Sequence, residues 1–222
     1  MPIVPAFTLG FIRCKENNKI LLLNRNKAPW MGKWNGVGGK IHPNESPLDC
    51  MIREAQEETG LMLPQFEPRG VLTWEIYSKE QEEEGDGRGG GGGEEEESDK
   101  SGKGLGGLGL GFGKSHKNGT VVDRALKHAN LASSGGLYLF TVDITLEQYE
   151  NYRTPMVYDD EGILCWKDFE WATFEFNLGV VDNIRANLPR IFASKEDDLF
   201  QIKYENLDLI ENKYVPGGAA AL

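Results

Sequence analysis

Three glutamates, Glu54, Glu57 and Glu58, fall at i, i+3 and i+4, a spacing that brings carboxylates to one side of a helix. Like charges so placed repel, each close pair costing roughly 0.2–0.5 kcal/mol on an isolated helix. Two readings are open on this spacing alone. One is a solvated acidic face. The other is a site for a hard divalent cation such as Mg²⁺, which takes oxygen ligands and turns the repulsion into coordination. Oxygen-only donors speak against zinc, which favours nitrogen and sulfur.

The element that must carry these carboxylates has complete helix punctuation. Ser46 can cap the first turn, Pro47 suits the first helical position, and Gly60 can close the end in a left-handed conformation. Leu48, Met51, Ile52 and Ala55 recur at helical spacing and supply an apolar face, so a helix is predicted between Ser46 and Gly60.

Around it the chain reads Gly39-Lys-Ile-His-Pro-Asn-Glu45-Ser-Pro-Leu-Asp-Cys-Met-Ile-Arg53-Glu54-Ala-Gln-Glu57-Glu58-Thr-Gly60-Leu61. This resembles the Nudix box, Gly-x5-Glu-x7-Arg-Glu-U-x-Glu-Glu-x-Gly-U, with U a bulky aliphatic. Gly39, Glu45, Arg53, Glu54, Glu57, Glu58 and Gly60 all match, and Leu61 fits the last aliphatic place. Ala55 is smaller than the pattern prefers. At typical residue frequencies, chance agreement at these fixed positions has odds of about one in 10⁸ or less. The resemblance implies a Nudix hydrolase: an α+β or mixed α/β fold with a mixed β-sheet between α-helices, the box forming loop–helix–loop. It implies cleavage of a nucleoside diphosphate linked to another moiety, with Mg²⁺ (or Mn²⁺) as cofactor. It assigns the metal to Glu54, Glu57, Glu58 and a backbone carbonyl at Gly38 or Gly39, and it assigns Arg53 and Glu45 to steadying the loop. Glu161, in Tyr158-Asp-Asp-Glu-Gly-Ile-Leu-Cys-Trp166, is similar in placement to a carboxylate outside the box that serves as metal ligand or base; its neighbour Asp160 and an exposed acidic loop are the alternatives.

Trp34-Asn35-Gly36-Val37-Gly38-Gly39-Lys40 resembles the segment preceding the box in the MutT-type, 8-oxo-dGTP diphosphatase branch, where the asparagine bonds the purine edge. Phe7-Thr8-Leu9, Cys165-Trp166 and Phe200-Gln-Ile-Lys-Tyr204 resemble that branch as well. The resemblance thereby assigns Thr8, Arg25, Trp34, Asn35, Gly38 and Lys40 to the nucleotide. Animal members pair two aspartates at the start of a late helix; this chain has Asp182-Asn183, so Asp182 is a candidate base reader, with a helix cap as the competing reading, and Asn183 departs from the pair. Trp30, Trp34 and Trp74 are candidates for stacking or for core. The implied reaction converts an oxidised purine (deoxy)nucleoside triphosphate, of 8-oxo-dGTP or 2-hydroxy-dATP type, to monophosphate and pyrophosphate. The alternatives are another substrate of the same chemistry (ADP-ribose, a dinucleoside polyphosphate, an RNA cap), an isopentenyl-diphosphate isomerase, whose cysteine context is not seen, and a silent Nudix-fold interaction module.

Elsewhere, apolar runs at 7–14 and 19–24 read as a hairpin, and 70–77 and 137–144 as strands. Residues 164–166 lead into 168–172, residues 180–192 read as a helix, and 201–204 and 207–210 as short strands. Residues 34–40 read as irregular. The chain of 222 residues holds 24 Lys+Arg against 35 Asp+Glu, net −11. Residues 79–118 contain 14 of the 28 glycines, and with 10 acidic against 6 basic residues they supply −4 of that charge. An inserted, mostly disordered Gly/Glu-rich loop is therefore expected at 79–135 within a single domain spanning 1–222, with a short helix at 121–132 and a flexible tail at 215–222. The acidic balance disfavours a nucleic-acid polymer as partner. Three separated cysteines, no signal-like leader and no membrane-length apolar run suggest a soluble, cytoplasmic monomer with a nucleotide substrate, the nucleus and mitochondrion staying open. Gly104-Leu-Gly106-Gly-Leu-Gly109 fits GxGxxG but lacks the flanking strand and helix, and Gly113-Lys114-Ser115 fails as a P-loop because position 108 is Leu108. His42, His116 and His128 are isolated.

Overall fold

The computed structural model describes residues 3–79, 129–158 and 161–222. The elements follow as β1 (Phe7–Cys14), β2 (Lys19–Arg25), β3 (Trp34–Asn35), α1 (Pro47–Thr59), β4 (Glu67–Lys79), β5 (Ala129–Ile144), α2 (Leu146–Asn151), β6 (Met156–Tyr158), β7 (Gly162–Asp168), α3 (Phe169–Thr173), α4 (Asp182–Ile191), β8 (Leu199–Glu205) and β9 (Asp208–Val215). The described strands form one sheet in the order β6-β7-β2-β1-β5-β4-β8-β9, with β3 beside β2. β1 runs parallel to β5 and β4 parallel to β8, while the other pairs are antiparallel, so the sheet is mixed as expected.

Successive strand residues point to opposite faces. In β1 and β2, Leu9, Phe11, Ile20 and Leu22 join Ile184, Leu188 and Ile191 of α4 in one apolar layer. Ile12, Cys14, Leu21 and Leu23 meet Met51 and Ala55 of α1 in the other. These near-continuous apolar runs are what a strand covered on both sides requires. The sheet therefore lies between helices, and α1 is held by one face of it.

α1 forms as its residues dictate. Ser46 Oγ accepts the Asp49 N–H at 3.1 Å, and Gly60 adopts φ 74 with its N–H on the Gln56 carbonyl at 2.8 Å.

Other elements differ from the sequence reading. Residues 34–40 were expected to be irregular, yet Trp34 and Asn35 pair with Asn24 and Leu23 of β2. β5 begins at Ala129, so 129–135 belong to a strand and not to the expected loop or short helix; the remainder of both expectations, 80–128, lies outside the described residues. Ala-Asn-Leu-Ala-Ser-Ser-Gly-Gly has no alternating apolar pattern, and its conformation comes from β4, which it pairs with as far as Lys79. Gly135 passes under the Trp74 ring, where a Cβ would sit 2.4 Å from Cζ2. The 217–222 end is docked: the Gly217 N–H reaches Asp198 Oδ1 at 3.0 Å, and the Ala219 N–H reaches the Asp197 carbonyl at 2.9 Å. α2 went unread, although its Thr145–Gln148 capping box is a sequence-level signal. Among the described residues, no helix is long and apolar enough to cross a membrane.

Candidate active site

The glycine-rich segment before α1 is held against β1 by main-chain bonds: Gly10 N–H to Val37 O at 2.7 Å, and Thr8 N–H to Gly39 O at 2.8 Å. Close approach explains the glycines. Gly38 sits at φ 144, and a Cβ there would lie 2.3 Å from the Thr8 carbonyl oxygen. A Cβ on Gly39 would lie 2.4 Å from Glu54 Oε1. The loop is thus wedged between a strand and a carboxylate. The Gly39 carbonyl already accepts one hydrogen bond and retains its second lone pair.

Arg53 organises the acidic side chains. Its Nε and Nη2 bind Glu45 Oε1 and Oε2 at 2.7 and 3.0 Å as a fork. Its Nη1 reaches Glu54 at 2.8 Å and Glu57 at 3.1 Å, and its Nη2 donates to the Lys40 carbonyl at 3.2 Å. With this guanidinium and the His42 N–H as donors, the Glu45 carboxyl is held down at about 2.

Glu58 has a different environment from its neighbours. It is 6% exposed, and its Oε2 accepts the Gly38 N–H at 2.9 Å. Burial, reinforced by the negative charges of Glu54 and Glu161, pushes its carboxyl up to about 8, against the pull of the Gly38 N–H and Arg25. Glu54, Glu58 and Glu161 therefore share one electrostatic neighbourhood, whereas the Glu57 side chain is 54% exposed and turned to Arg53. Glu57 and Glu58 are about 100° apart around α1, which lets one be buried while its neighbour stays exposed. Glu161 is anchored by its carbonyl on the Asn26 N–H at 2.8 Å and by its carboxylate on Lys27 Nζ at 2.5 Å. Asp160 lies outside the described residues.

Among the described residues, no three Asp, Glu, His or Cys side chains are gathered around a single point as a finished metal cage. The donor chemistry nonetheless fits a hard divalent cation. The set is carboxylate oxygen only, Glu58 is desolvated, and like charges press on it without an adjacent compensating cation among its hydrogen bonds.

The residues expected at the nucleotide divide between this region and a second one. The Trp34 N–H bonds the Gly179 carbonyl at 2.7 Å, and the Val181 N–H bonds the Trp34 carbonyl at 3.0 Å, so β3 is stitched to the start of α4. Asn35, with Oδ1 on the Gly36 N–H at 2.9 Å, and Asp182 thus stem from neighbouring backbone. Asp182 is no cap: Val181 holds the cap position, and the Asp182 carboxylate meets Lys33 at 3.2 Å and Arg185 at 3.3 Å. Asn183 is buried beside it. Trp34 is flanked by Trp171 at 6.2 Å and by Lys167 Nζ at 4.2 Å from its ring. Trp30 lies 5.3 Å from the Tyr204 ring, and Trp74 packs on Phe7 at 6.2 Å. Thr8 is buried with its hydroxyl 3.4 Å from the Cys50 thiol, so its side chain braces α1 and does not meet solvent. Arg25 Nε donates to the Pro29 carbonyl at 3.2 Å, and Lys40 is exposed. The sequence reading missed Lys33 and Tyr204 as part of this region. Lys33 carries no local signal, and Tyr204 comes from β8, far along the chain.

Comparison with known proteins bears on this arrangement. Residues 5–95 match the model of the NUDIX domain. A Nudix hydrolase of Bacillus subtilis, YvcI, described as uncharacterized, is 38% identical over 62 residues, 28% of this chain and 37% of that protein. The 8-oxo-dGTP diphosphatase of Proteus vulgaris is 38% identical over 56 residues, 25% of this chain and 50% of that protein. The chain therefore spans half or less of the length of these relatives. The crystal structure of a MutT protein from Bacillus halodurans superposes with a TM-score of 0.56 at 17% identity, covering 95% of this chain and 97% of that one, a likeness of fold.

Proposed function

We propose that this chain, whose residues 5–95 match the NUDIX domain model, is a metal-dependent pyrophosphohydrolase of nucleoside triphosphates. The observation that carries the proposal is the buried Glu58, held on the Gly38 N–H with Glu54 and Glu161 bearing on it. A carboxylate in that setting is costly to a fold and useful to a divalent cation. Glu54, Glu57, Glu58 and the Gly39 carbonyl would hold Mg²⁺ or Mn²⁺, which when bound neutralises phosphate oxygens and lowers the pKa of a water. Arg53 and Glu45 are positioning residues. They hold Glu54 and Glu57 in place and fasten the loop through the Lys40 carbonyl. A glutamate of the cluster not engaged by the cation, Glu161 being the candidate on a separate loop, takes the proton from the attacking water.

For the substrate we favour an oxidised purine (deoxy)nucleoside triphosphate, cleaved to monophosphate and pyrophosphate. Support comes from the Asn35–Asp182 proximity created by β3 and α4, and from the local similarity to an 8-oxo-dGTP diphosphatase. In this reading Arg25, Trp34, Asn35, Gly38, Lys40, Asp182 and Asn183 would be the residues that meet the nucleotide.

The test is pyrophosphate release from 8-oxo-dGTP, 2-hydroxy-dATP, dGTP and ADP-ribose with Mg²⁺ and with excess chelator. The expected result is release of pyrophosphate from the oxidised triphosphates, abolished by chelation and restored by Mg²⁺. Turnover that survives chelation would remove the metal role, and preference for ADP-ribose would replace the triphosphate reading.

Gly39→Ala supplies a second check. The three atoms nearest to the added methyl all belong to the far end of the Glu54 side chain, so the chain is expected to keep its fold while the Glu54 carboxylate moves. About tenfold lower kcat with an unchanged circular dichroism spectrum is expected, by analogy with disturbed metal-site support. Full activity would show that the Glu54 position is unimportant.

A further inference from the structure

Three carboxylates of the acidic cluster are each held by a different donor. Glu54 takes the Arg53 guanidinium at 2.8 Å, Glu58 takes the Gly38 N–H at 2.9 Å, and Glu161 takes Lys27 Nζ at 2.5 Å. Arg53 and Gly38 belong to α1 and to the segment before it. Lys27 comes from elsewhere, the loop between β2 and β3.

The main chain of Glu161 has little freedom. Its carbonyl accepts the Asn26 N–H at 2.8 Å, and its N–H donates to the Tyr158 carbonyl at 3.0 Å. Gly162 follows at φ 144, where an added Cβ would collide with the Asn24 carbonyl. The turn is pressed onto the end of β2, and side-chain torsions are left to aim the carboxylate. Two forces act on that aim. The Glu161 charge is felt at Glu58, so the negative charges of the cluster repel it, while the Lys27 ammonium holds its Oε1 in one place. Stability does not account for this ion pair. The Lys27 side chain is 50% exposed and that of Glu161 33%, a setting in which a pair contributes little to folding. At a proton acceptor the same contact has a use, because it fixes one oxygen and leaves the other to water.

We propose that Lys27 is a positioning residue acting through Glu161: the ammonium pins Oε1 and presents Oε2 as the oxygen that takes the proton of the attacking water. As the water oxygen bonds to phosphorus, that proton passes to Oε2. The bond from phosphorus to the departing phosphate oxygen breaks, and the leaving group carries off the electron pair. The inference rests on the hydrolase reading above, with Glu161 as proton acceptor, and adds to it a residue from a separate loop.

The test compares Lys27→Met, Lys27→Arg, Glu161→Gln and the double variant K27M/E161Q in pyrophosphate release, with Mn²⁺ titration of the nucleotide-free chains alongside. K27M is expected to lower kcat about tenfold, a fraction of what a general base contributes. Its KM, Mn²⁺ affinity and melting temperature stay at parental values. K27R, which keeps a cation, recovers most of the loss. In the E161Q background K27M costs nothing further, because its effect passes through the carboxylate already removed. A raised KM with parental kcat would overturn the inference and make Lys27 a phosphate contact, and weakened Mn²⁺ binding would overturn it in favour of cation support. Parental kcat in K27M, or additive losses in the double variant, would overturn it as well. Parental turnover in E161Q removes the proton-acceptor role of Glu161 and this inference with it, leaving the hydrolase reading in place. A parent chain that releases no pyrophosphate removes both.

Discussion

Glu58→Gln is expected to lower turnover about a thousandfold while leaving the protein at least as stable as the parent. The two effects separate because they have different causes. The glutamine side-chain oxygen can still accept the Gly38 N–H that Glu58 now receives at 2.9 Å, so the link between α1 and the loop persists. The residue is 6% exposed and its carboxyl is already pushed up to about 8, so a neutral isostere suits the fold better than an anion. For the proposed chemistry the neutral amide is a poor substitute. Losing an anionic oxygen ligand sacrifices several kcal/mol of transition-state stabilisation, and about 4 kcal/mol corresponds to a thousandfold in rate. The measurements are kcat on the preferred triphosphate and a thermal melt of the same preparation. Activity within tenfold of the parent would show that Glu58 is only a structural acceptor for Gly38.

Arg53→Lys should cost about a hundredfold in kcat and also lower the melting temperature. The guanidinium serves five acceptor groups at once: the Glu45 fork, Glu54, Glu57, the Lys40 carbonyl and the Cys50 sulfur. A lysine ammonium is a single point with three donors and cannot reproduce a planar fork. Glu45, Glu54 and Glu57 would then repel one another with fewer donors between them, and the loop would lose its tie at Lys40. The rate loss expected for a residue that orients metal ligands is about 10–100-fold, and the upper end applies here because one side chain orients two of them. A lysine variant with parental kcat and a lower melting temperature would confine Arg53 to stability. A variant that loses rate but recovers it at high Mg²⁺ would identify the defect as weakened metal affinity.

The elements that could be read from the chain are those whose determinants are local. α1 carries its cap, its first-turn proline, its apolar face and its closing glycine within Ser46–Gly60, and the structure places each where the sequence implies. β1 and β2 are apolar on both faces and were legible for that reason. The first half of β5 was not legible, because Ala-Asn-Leu-Ala-Ser-Ser-Gly-Gly acquires its extended form from pairing with β4. β3 is the same case: Trp34 and Asn35 become a strand because β2 lies on one side and the start of α4 on the other.

By itself, the sequence determined which acidic residues occur, in what order, and on which helix, since helical periodicity is a property of neighbours along the chain. It also marked Gly38 and Gly39 as a loop. Only the tertiary structure decided that Glu58 is buried against that loop while Glu57 stays exposed on Arg53, because burial depends on where β1 brings the loop relative to α1. Thr8 shows the same dependence: its burial against Cys50 follows from how β1 packs on α1. The meeting of Asn183 with Tyr204 joins a helix to a strand on another part of the chain. Their contact arises from three-dimensional packing, which no local pattern encodes.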